Sequence, residues 1–213
     1  MPTEMFDILD CAGRKTGVTI AREDAHRTGV WHGAFHCLIV YEHHRKPCIL
    51  FQKRSSEKLI APSKFDVSVG GHYAAGEDAE AAGPREIKEE LGLTVPFSDL
   101  VSLGRRVFAF CFTPGIIEQE FQDVFLYPCV GGPGELVLQT EEVDAVIELD
   151  VESGISLFSG AAQSATAMIV SPGNGAAVVI TAADFVPCID NYYLKLLLLV
   201  RQYFKGERDL LVI

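Results

Sequence analysis

The chain has 213 residues, 48% hydrophobic and 22% charged, which suits one compact domain and excludes a disordered chain. Lys plus Arg number 18 against 29 Asp plus Glu, a net charge of −11, which disfavours nucleic acid and anionic lipid as partners. A protein this acidic needs a metal ion or a local basic pocket to handle an anion.

The first ten residues carry Glu4, Asp7 and Asp10 and no apolar run, so no signal peptide is expected. Met5–Leu9 and Lys15–Ile20 flank Cys11-Ala12-Gly13 as a hairpin, and Arg22–Thr28 reads as a short helix ended by Gly29. Ala34–Tyr41 and Cys48–Arg54 are strands joined by a polar turn around His43–Pro47. Glu77–Leu91 is helical, Ala- and Glu-rich, and closed by Gly92. Glu120–Pro128 is a strand, and Val143–Leu149 alternates, with Val143, Ala145, Ile147 and Leu149 predicted on one face. Val151–Phe158 reads as a short helix. Ala165–Val170 and Ala176–Thr181 flank the turn Ser-Pro-Gly-Asn-Gly as a second hairpin. Asp190–Phe204 is an apolar helix predicted to be buried, and its Tyr192–Val200 stretch falls short of the roughly 20 residues that span a bilayer. The six cysteines form no CxxC pair and are expected to be reduced, mostly buried thiols of a cytoplasmic protein.

The chemistry concentrates between Gly71 and Leu93. At about 100° per residue, Glu86, Glu89 and Glu90 project from one face of one helix. Unit charges ~4 Å apart repel by ~4 kcal/mol at an effective dielectric of ~20. A bound Mg²⁺ or Mn²⁺ reverses that repulsion, because hard cations take oxygen ligands. Gly83-Pro84 interrupts the predicted helix, which either kinks there or begins at Pro84.

The spacing of Gly71, Glu77 and Arg85-Glu86-Ile87-Lys88-Glu89-Glu90-Leu91-Gly92-Leu93 matches every fixed position of G-x5-E-x7-R-E-U-x-E-E-x-G-U, where U is apolar. The segment therefore resembles the Nudix box, and the wider chain resembles that superfamily. The resemblance implies an α/β/α sandwich around a mixed β-sheet. One domain is expected over 1–213, with an N-terminal extension (1–33), the box (71–93) and a C-terminal hairpin and helix (159–213). It also implies metal-dependent cleavage of a diphosphate linked to another moiety. Glu86, Glu89 and Glu90 would hold Mg²⁺ or Mn²⁺, with the Gly71 carbonyl as a further ligand. Glu77 and Arg85 would form a structural ion pair. One of the three glutamates, or Glu142, would act as general base.

The segments FDILDCAGRKTGV, AREDAHRTGVWHGAFH and KFDVSVGGH further resemble the isopentenyl-diphosphate isomerase-like branch. Those isomerases bind a metal through three histidines and two glutamates, and His26, His32, His72, Glu118 and Glu120 fall at the matching places. The resemblance thus implies a second divalent ion. The isomerase cysteine position, however, is Gly70, which has no acid to protonate an alkene, and the full hydrolase glutamate set is kept. Hydrolysis is the expected chemistry. Isopentenyl-diphosphate isomerisation and non-catalytic diphosphate or nucleotide binding are the alternatives. Lys53, Arg54, Lys58, Lys64, Arg105 and Arg106 are candidate phosphate contacts or solvated charges. Trp31, Phe108, Phe110 and Phe112 are candidate stacking residues or core. His36, His43 and His44 are read as structural or solvent-facing. The expected partner is a small-molecule diphosphate, with no nucleic acid and no membrane, and the protein a monomer or homodimer.

Overall fold

The computed structural model describes residues 4–113, 115–173 and 175–213; Met1–Thr3 and Asn174 of the second predicted turn lie outside them. Strands β1 (Met5–Leu9) and β2 (Lys15–Ala21) form the expected antiparallel hairpin, followed by α1 (Arg22–Thr28). Helix α1 stops at Gly29, which takes the left-handed conformation and donates its N–H to the Ala25 carbonyl.

A nine-stranded mixed sheet makes the body of the molecule. It comprises β3 (His32–His43), β4 (Lys46–Arg54), β5 (Phe65–Asp66), β6 (Val69–His72), β7 (Val101–Thr113), β8 (Ile116–Pro128), β9 (Val143–Asp150), β10 (Ala165–Ser171) and β11 (Ala177–Ile180). The main path runs β11-β10-β9-β4-β3-β8-β7, with β5 on β4 and β6 on β3. Strands β3 and β8 run parallel, in register from His32↔Glu120 to Val40↔Pro128. This register sets His32 beside Glu120, while β6 sets His72 opposite Ala34.

Helix α2 (Ala79–Leu91) covers one face, burying Ile87 and Leu91 with Phe35, Cys37 and Phe125. Helices α3 (Val151–Phe158) and α4 (Tyr192–Phe204) cover the other, burying Leu157, Leu196, Leu197 and Val200 with Leu38, Phe51 and Leu149. Each such side chain contributes roughly 1.5–3 kcal/mol of burial, which holds two layers of helix onto the sheet. The architecture is the expected α/β/α sandwich.

Three expectations need correction, and one strand goes beyond them. Val143 does not share a face with Ile147 and Leu149. At the register shift where Lys53 pairs with Ala145 and Arg54 with Val143, β9 carries one extra residue, Asp144, which turns Val143 to the α2 side with Val146 and leaves Ile147 and Leu149 under α4. Helix α2 does not begin at Pro84 but at Ala79, with the Asp78 carboxylate capping the Ala81 N–H at 3.1 Å. It runs through Pro84, forgoing one backbone hydrogen bond in its second turn. The thiols are free, but only Cys37 and Cys48 are buried, while Cys11 and Cys111 are exposed. Finally, β7 is a 13-residue strand that the sequence reading leaves unassigned.

Candidate active site

The cavity between α1, α2, the β3–β6 edge, β7–β8 and α4 has a volume of about 680 Å³. Glu86, Glu89 and Glu90 line it from α2. Glu86 and Glu90 are buried, and Glu89 is half exposed. Gln52 Nε2 and the Gly70 N–H donate to Glu90 Oε2 at 3.0 and 3.2 Å. Burial, reinforced by the charge of Glu86, pushes the Glu90 carboxyl up to about 8. Burial also raises Glu86, against the opposing pull of Arg85. Two adjacent buried carboxyls that resist ionisation are a pair that a divalent cation would satisfy.

Arg85 ties this group together. Its Nε and Nη2 donate to the two oxygens of Glu77 at 3.0 and 2.7 Å, and Nη2 also reaches the His72 carbonyl at 3.2 Å. Its Nη1 donates to Glu86 Oε1 and Glu89 Oε2, both at 2.9 Å. Gly71 lies beneath Glu86, where a Cβ would stand 2.1 Å from the glutamate Cδ; only a hydrogen fits. At Gly70 a Cβ would fit in ordinary contact, 3.5 Å from Val67 and 3.7 Å from the His36 ring.

Glu142 lines the cavity from the loop before β9, where Lys58 Nζ donates to its Oε2. Lys58, a candidate phosphate contact or solvated charge by sequence, is thus paired within the protein. Arg54 also lines the cavity, spending Nε and Nη2 on the Ile60 carbonyl, whereas Lys64 reaches away to the Ala183 carbonyl. Arg105 and Arg106, adjacent in sequence, part ways: Arg105 pairs with Asp123 in a half-exposed bridge, while Arg106 is buried in the cavity wall. Phe108 and Phe112 line the cavity; Trp31 packs on Phe121 instead. His36, read as structural or solvent-facing, is buried in the cavity wall with Nδ1 2.9 Å from the Tyr192 hydroxyl.

The five residues matched to the isomerase ligands converge at one end of the cavity. Nitrogen or oxygen atoms of His26, His32, His72 and Glu118 all lie within 4.8 Å of one another. Glu120 Oε1 sits 2.9 Å from His72 Nε2 and 3.7 Å from His32 Nε2. His32 Nδ1 contacts the Val30 carbonyl at 3.0 Å, which leaves Nε2 as its acceptor atom. Among the described residues, His26 Nε2, His32 Nε2 and Glu118 Oε1 are buried without a well-formed hydrogen bond, His26 Nε2 lying 3.2 Å from Glu118 Oε1. Unsatisfied buried atoms cost roughly 1–3 kcal/mol each, so three that face one point fit a cation. Burial, then the neighbouring His72 and His32, pushes His26 down to about 3, which keeps it a neutral donor. His72 is raised to about 9, burial being outweighed by the carboxylates of Glu118 and Glu120. Against its burial, the neighbouring His32 and His72 hold Glu120 well below the usual carboxylate range. A cation entering this cluster would displace the His72 proton.

Comparison with known proteins bears directly on this geometry. The NUDIX domain model matches residues 30–166. The chain belongs to the Nudix superfamily. A Nudix hydrolase of Clostridium acetobutylicum is 34% identical over 152 residues, covering 71% of this chain and 72% of that protein. Nudix hydrolase 3 of Arabidopsis thaliana is 37% identical over 153 residues, 68% of this chain but only 19% of that much longer protein. An isopentenyl-diphosphate Δ-isomerase of Aliivibrio fischeri is 30% identical over 165 residues, covering 74% of this chain and 90% of the isomerase. A solved Deinococcus radiodurans structure shares the fold with a TM-score of 0.53 at 20% identity, covering 74% of this chain and 90% of that one. The protein is thus a Nudix-type hydrolase whose sequence also neighbours the isomerases. Among the described residues, no helix is long and apolar enough to cross a membrane.

Proposed function

We propose that this protein is a metal-dependent pyrophosphohydrolase that cleaves a diphosphate linked to another moiety. The carrying observation is the pair of buried carboxyls, Glu86 and Glu90, set beside Glu89 in a cavity that also holds Glu142. Bound Mg²⁺ or Mn²⁺ supplies neutralisation of the diphosphate charge and activation of water. The chain's own groups do the rest. Gln52 and the Gly70 N–H fix one oxygen of Glu90, and Arg85 fixes one oxygen each of Glu86 and Glu89, so the ligand face is preorganised. The water oxygen bonds to one phosphorus as the bridging oxygen leaves with the other, and Glu142 takes the water proton. Lys58 holds Glu142 in position.

The convergent unsatisfied atoms of His26, His32 and Glu118 support a second divalent ion there, with His72 and Glu120 completing the set. Neutral imidazole with carboxylate suits Zn²⁺ or Mn²⁺. Isomerase chemistry on this scaffold lacks its acid, because Gly70 offers no side chain to the cavity.

A panel of nucleoside di- and triphosphates, nucleotide sugars, thiamine diphosphate and prenyl diphosphates, assayed with Mg²⁺ and Mn²⁺, tests the reading. At least one is expected to yield two phosphate-bearing products, with kcat reduced roughly 10²–10⁴-fold by Glu86→Gln or Glu90→Gln. Rearrangement of isopentenyl diphosphate without phosphate release would replace hydrolysis by isomerisation. Binding without turnover of any compound would leave a non-catalytic diphosphate binder.

A further inference from the structure

Glu120 is held from behind by an unbroken chain of hydrogen bonds that leaves the family-matched segment. Gln122 Nε2 donates to Glu120 Oε2 at 2.5 Å. Gln122 Oε1 accepts from Arg106 Nη1 at 2.7 Å. Arg106 then closes a two-pronged pair with Asp190, Nε to Oδ2 at 2.9 Å and Nη2 to Oδ1 at 2.8 Å. The far oxygen of Glu120, Oε1, is the one that faces His72 and His32. Arg106, Gln122 and Glu120 are all buried, with exposures of 7, 2 and 5%.

The chemistry of the chain has a direction. A guanidinium only donates and a carboxylate only accepts, so the group between Arg106 and Glu120 must accept from one and donate to the other. The Gln122 amide does both at once. Reversing the amide would set its NH₂ against Arg106 and its carbonyl against Glu120, so one orientation alone is satisfied. Glu120 is thereby locked with one oxygen spent and the other free for the histidine cluster.

The far anchor lies outside the segment that the family model matches. Asp190 is 84 residues from Arg106, in the loop that leads into α4, and beyond residue 166. The next turn of chain tightens the hold: the Tyr192 ring lies 3.8 Å from the Arg106 guanidinium carbon, and the Phe108 ring 4.7 Å. The Tyr192 hydroxyl is in turn fixed by His36. This is more bonding than a surface charge needs, and its end point is a single carboxylate oxygen.

We infer that Gln122, Arg106 and Asp190 are positioning residues that hold Glu120 in its ligating orientation, making the C-terminal segment part of the histidine–glutamate metal centre. The inference rests on the reading of that cluster as a metal site. Outer-shell partners of this kind typically change metal affinity roughly 10- to 100-fold when removed.

The test is Zn²⁺ affinity of the full metal-free chain, read by competition with a chromophoric chelator, alongside thermal melting of the same samples. His32→Ala marks the share of binding owed to the cluster. Gln122→Leu is expected to lower the cluster's affinity roughly 10- to 100-fold. Asp190→Asn is expected to give a smaller loss in the same direction, with some fall in melting because the buried Arg106 loses its charged partner, and Asp190→Glu to recover both. Asp123→Asn breaks the neighbouring Arg105 pair on the opposite face and should leave affinity intact. Wild-type affinity in both Gln122→Leu and Asp190→Asn, while His32→Ala abolishes binding, would overturn the relay alone. A loss matched by Asp123→Asn would also overturn it, as general loosening. Wild-type protein with no Zn²⁺ site sensitive to His32→Ala would instead remove the metal reading itself, and the relay with it.

Discussion

Glu90→Gln should stabilise the metal-free protein while destroying its activity, and the gain should depend on pH in a stated sense. The Glu90 carboxyl is pushed from 4.5 to about 8, first by burial and then by Glu86. A group whose folded pKa is raised contributes stability that is full below its unfolded value and is lost as pH rises through the folded value. The wild-type protein therefore loses stability between about pH 4.5 and pH 8. Between pH 5 and pH 8 the shift corresponds to at most about 4 kcal/mol, at 1.36 kcal/mol for each pH unit. Glutamine removes the buried charge. With its carbonyl oxygen placed where Oε2 now stands, it still accepts from Gln52 and Gly70.

A chain of this size shifts by about 2–4 °C in Tm per kcal/mol. Melting in excess chelator, followed by circular dichroism, should place Glu90→Gln roughly 5 °C or more above wild type at pH 8, and within about 2 °C at pH 5. Adding Mg²⁺ should raise wild-type Tm at pH 8 and narrow the gap, because the ion supplies the charge that the buried pair lacks. A variant that melts level with or below wild type at pH 8, or a gap equal at both pH values, would refute the reasoning.

Two further substitutions probe the same face. Arg85→Ala leaves Glu77 without its two-pronged partner and frees Glu86 and Glu89. With side-chain exposures of 30 and 22% the pair is part-buried, so a loss of about 1–3 kcal/mol in denaturant melts is expected, together with lower kcat. An inactive variant of unchanged stability would show that Arg85 contacts substrate instead. Gly71→Ala brings a methyl group to within 2.1 Å of the present Glu86 Cδ position, so the carboxylate must swing away. Because Glu86 borders open cavity, Tm should change little while kcat falls by roughly 10² or more. Full activity in that variant would refute the placement of Glu86 over Gly71.

The legible parts of this fold were those written in local pattern. Turn residues flank β1–β2, Gly29 and Gly92 stop their helices, and the apolar run of α4 is buried. The box spacing placed Gly71, Glu77, Arg85 and the three glutamates because these groups meet within one loop and one helix. What escaped depended on register or on distance. Strand β7 escaped because its inward side carries a buried arginine. A register shift between Ser102 and Gly104 further breaks its alternation. Val143 leaves the predicted face because an extra residue, Asp144, breaks the alternation of β9, and only the pairing with β4 reveals it. His36 meets Tyr192 across 156 residues, and no window of sequence contains both.

The charge balance noted at the outset takes its meaning from where the cations point. Six arginine and lysine side chains line the cavity, and each already faces a carboxylate of the protein: Arg22 with Glu4, Arg27 with Asp24, Arg54 with Asp66, Lys58 with Glu142, Arg85 with Glu77, and Arg106 with Asp190. Among the described residues, each lysine and arginine of the cavity thus has a carboxylate beside it, most loosely at the exposed Arg27–Asp24 pair. To take one of these cations, a phosphate must displace a carboxylate that is already in place. The carboxylates of α2 would repel the phosphate as well. This pairing bears on the proposed metal dependence. In a cavity whose arginines and lysines each already face a carboxylate, the proposed divalent ions at the buried pair Glu86–Glu90 would supply positive charge that a diphosphate could meet without displacing such a partner.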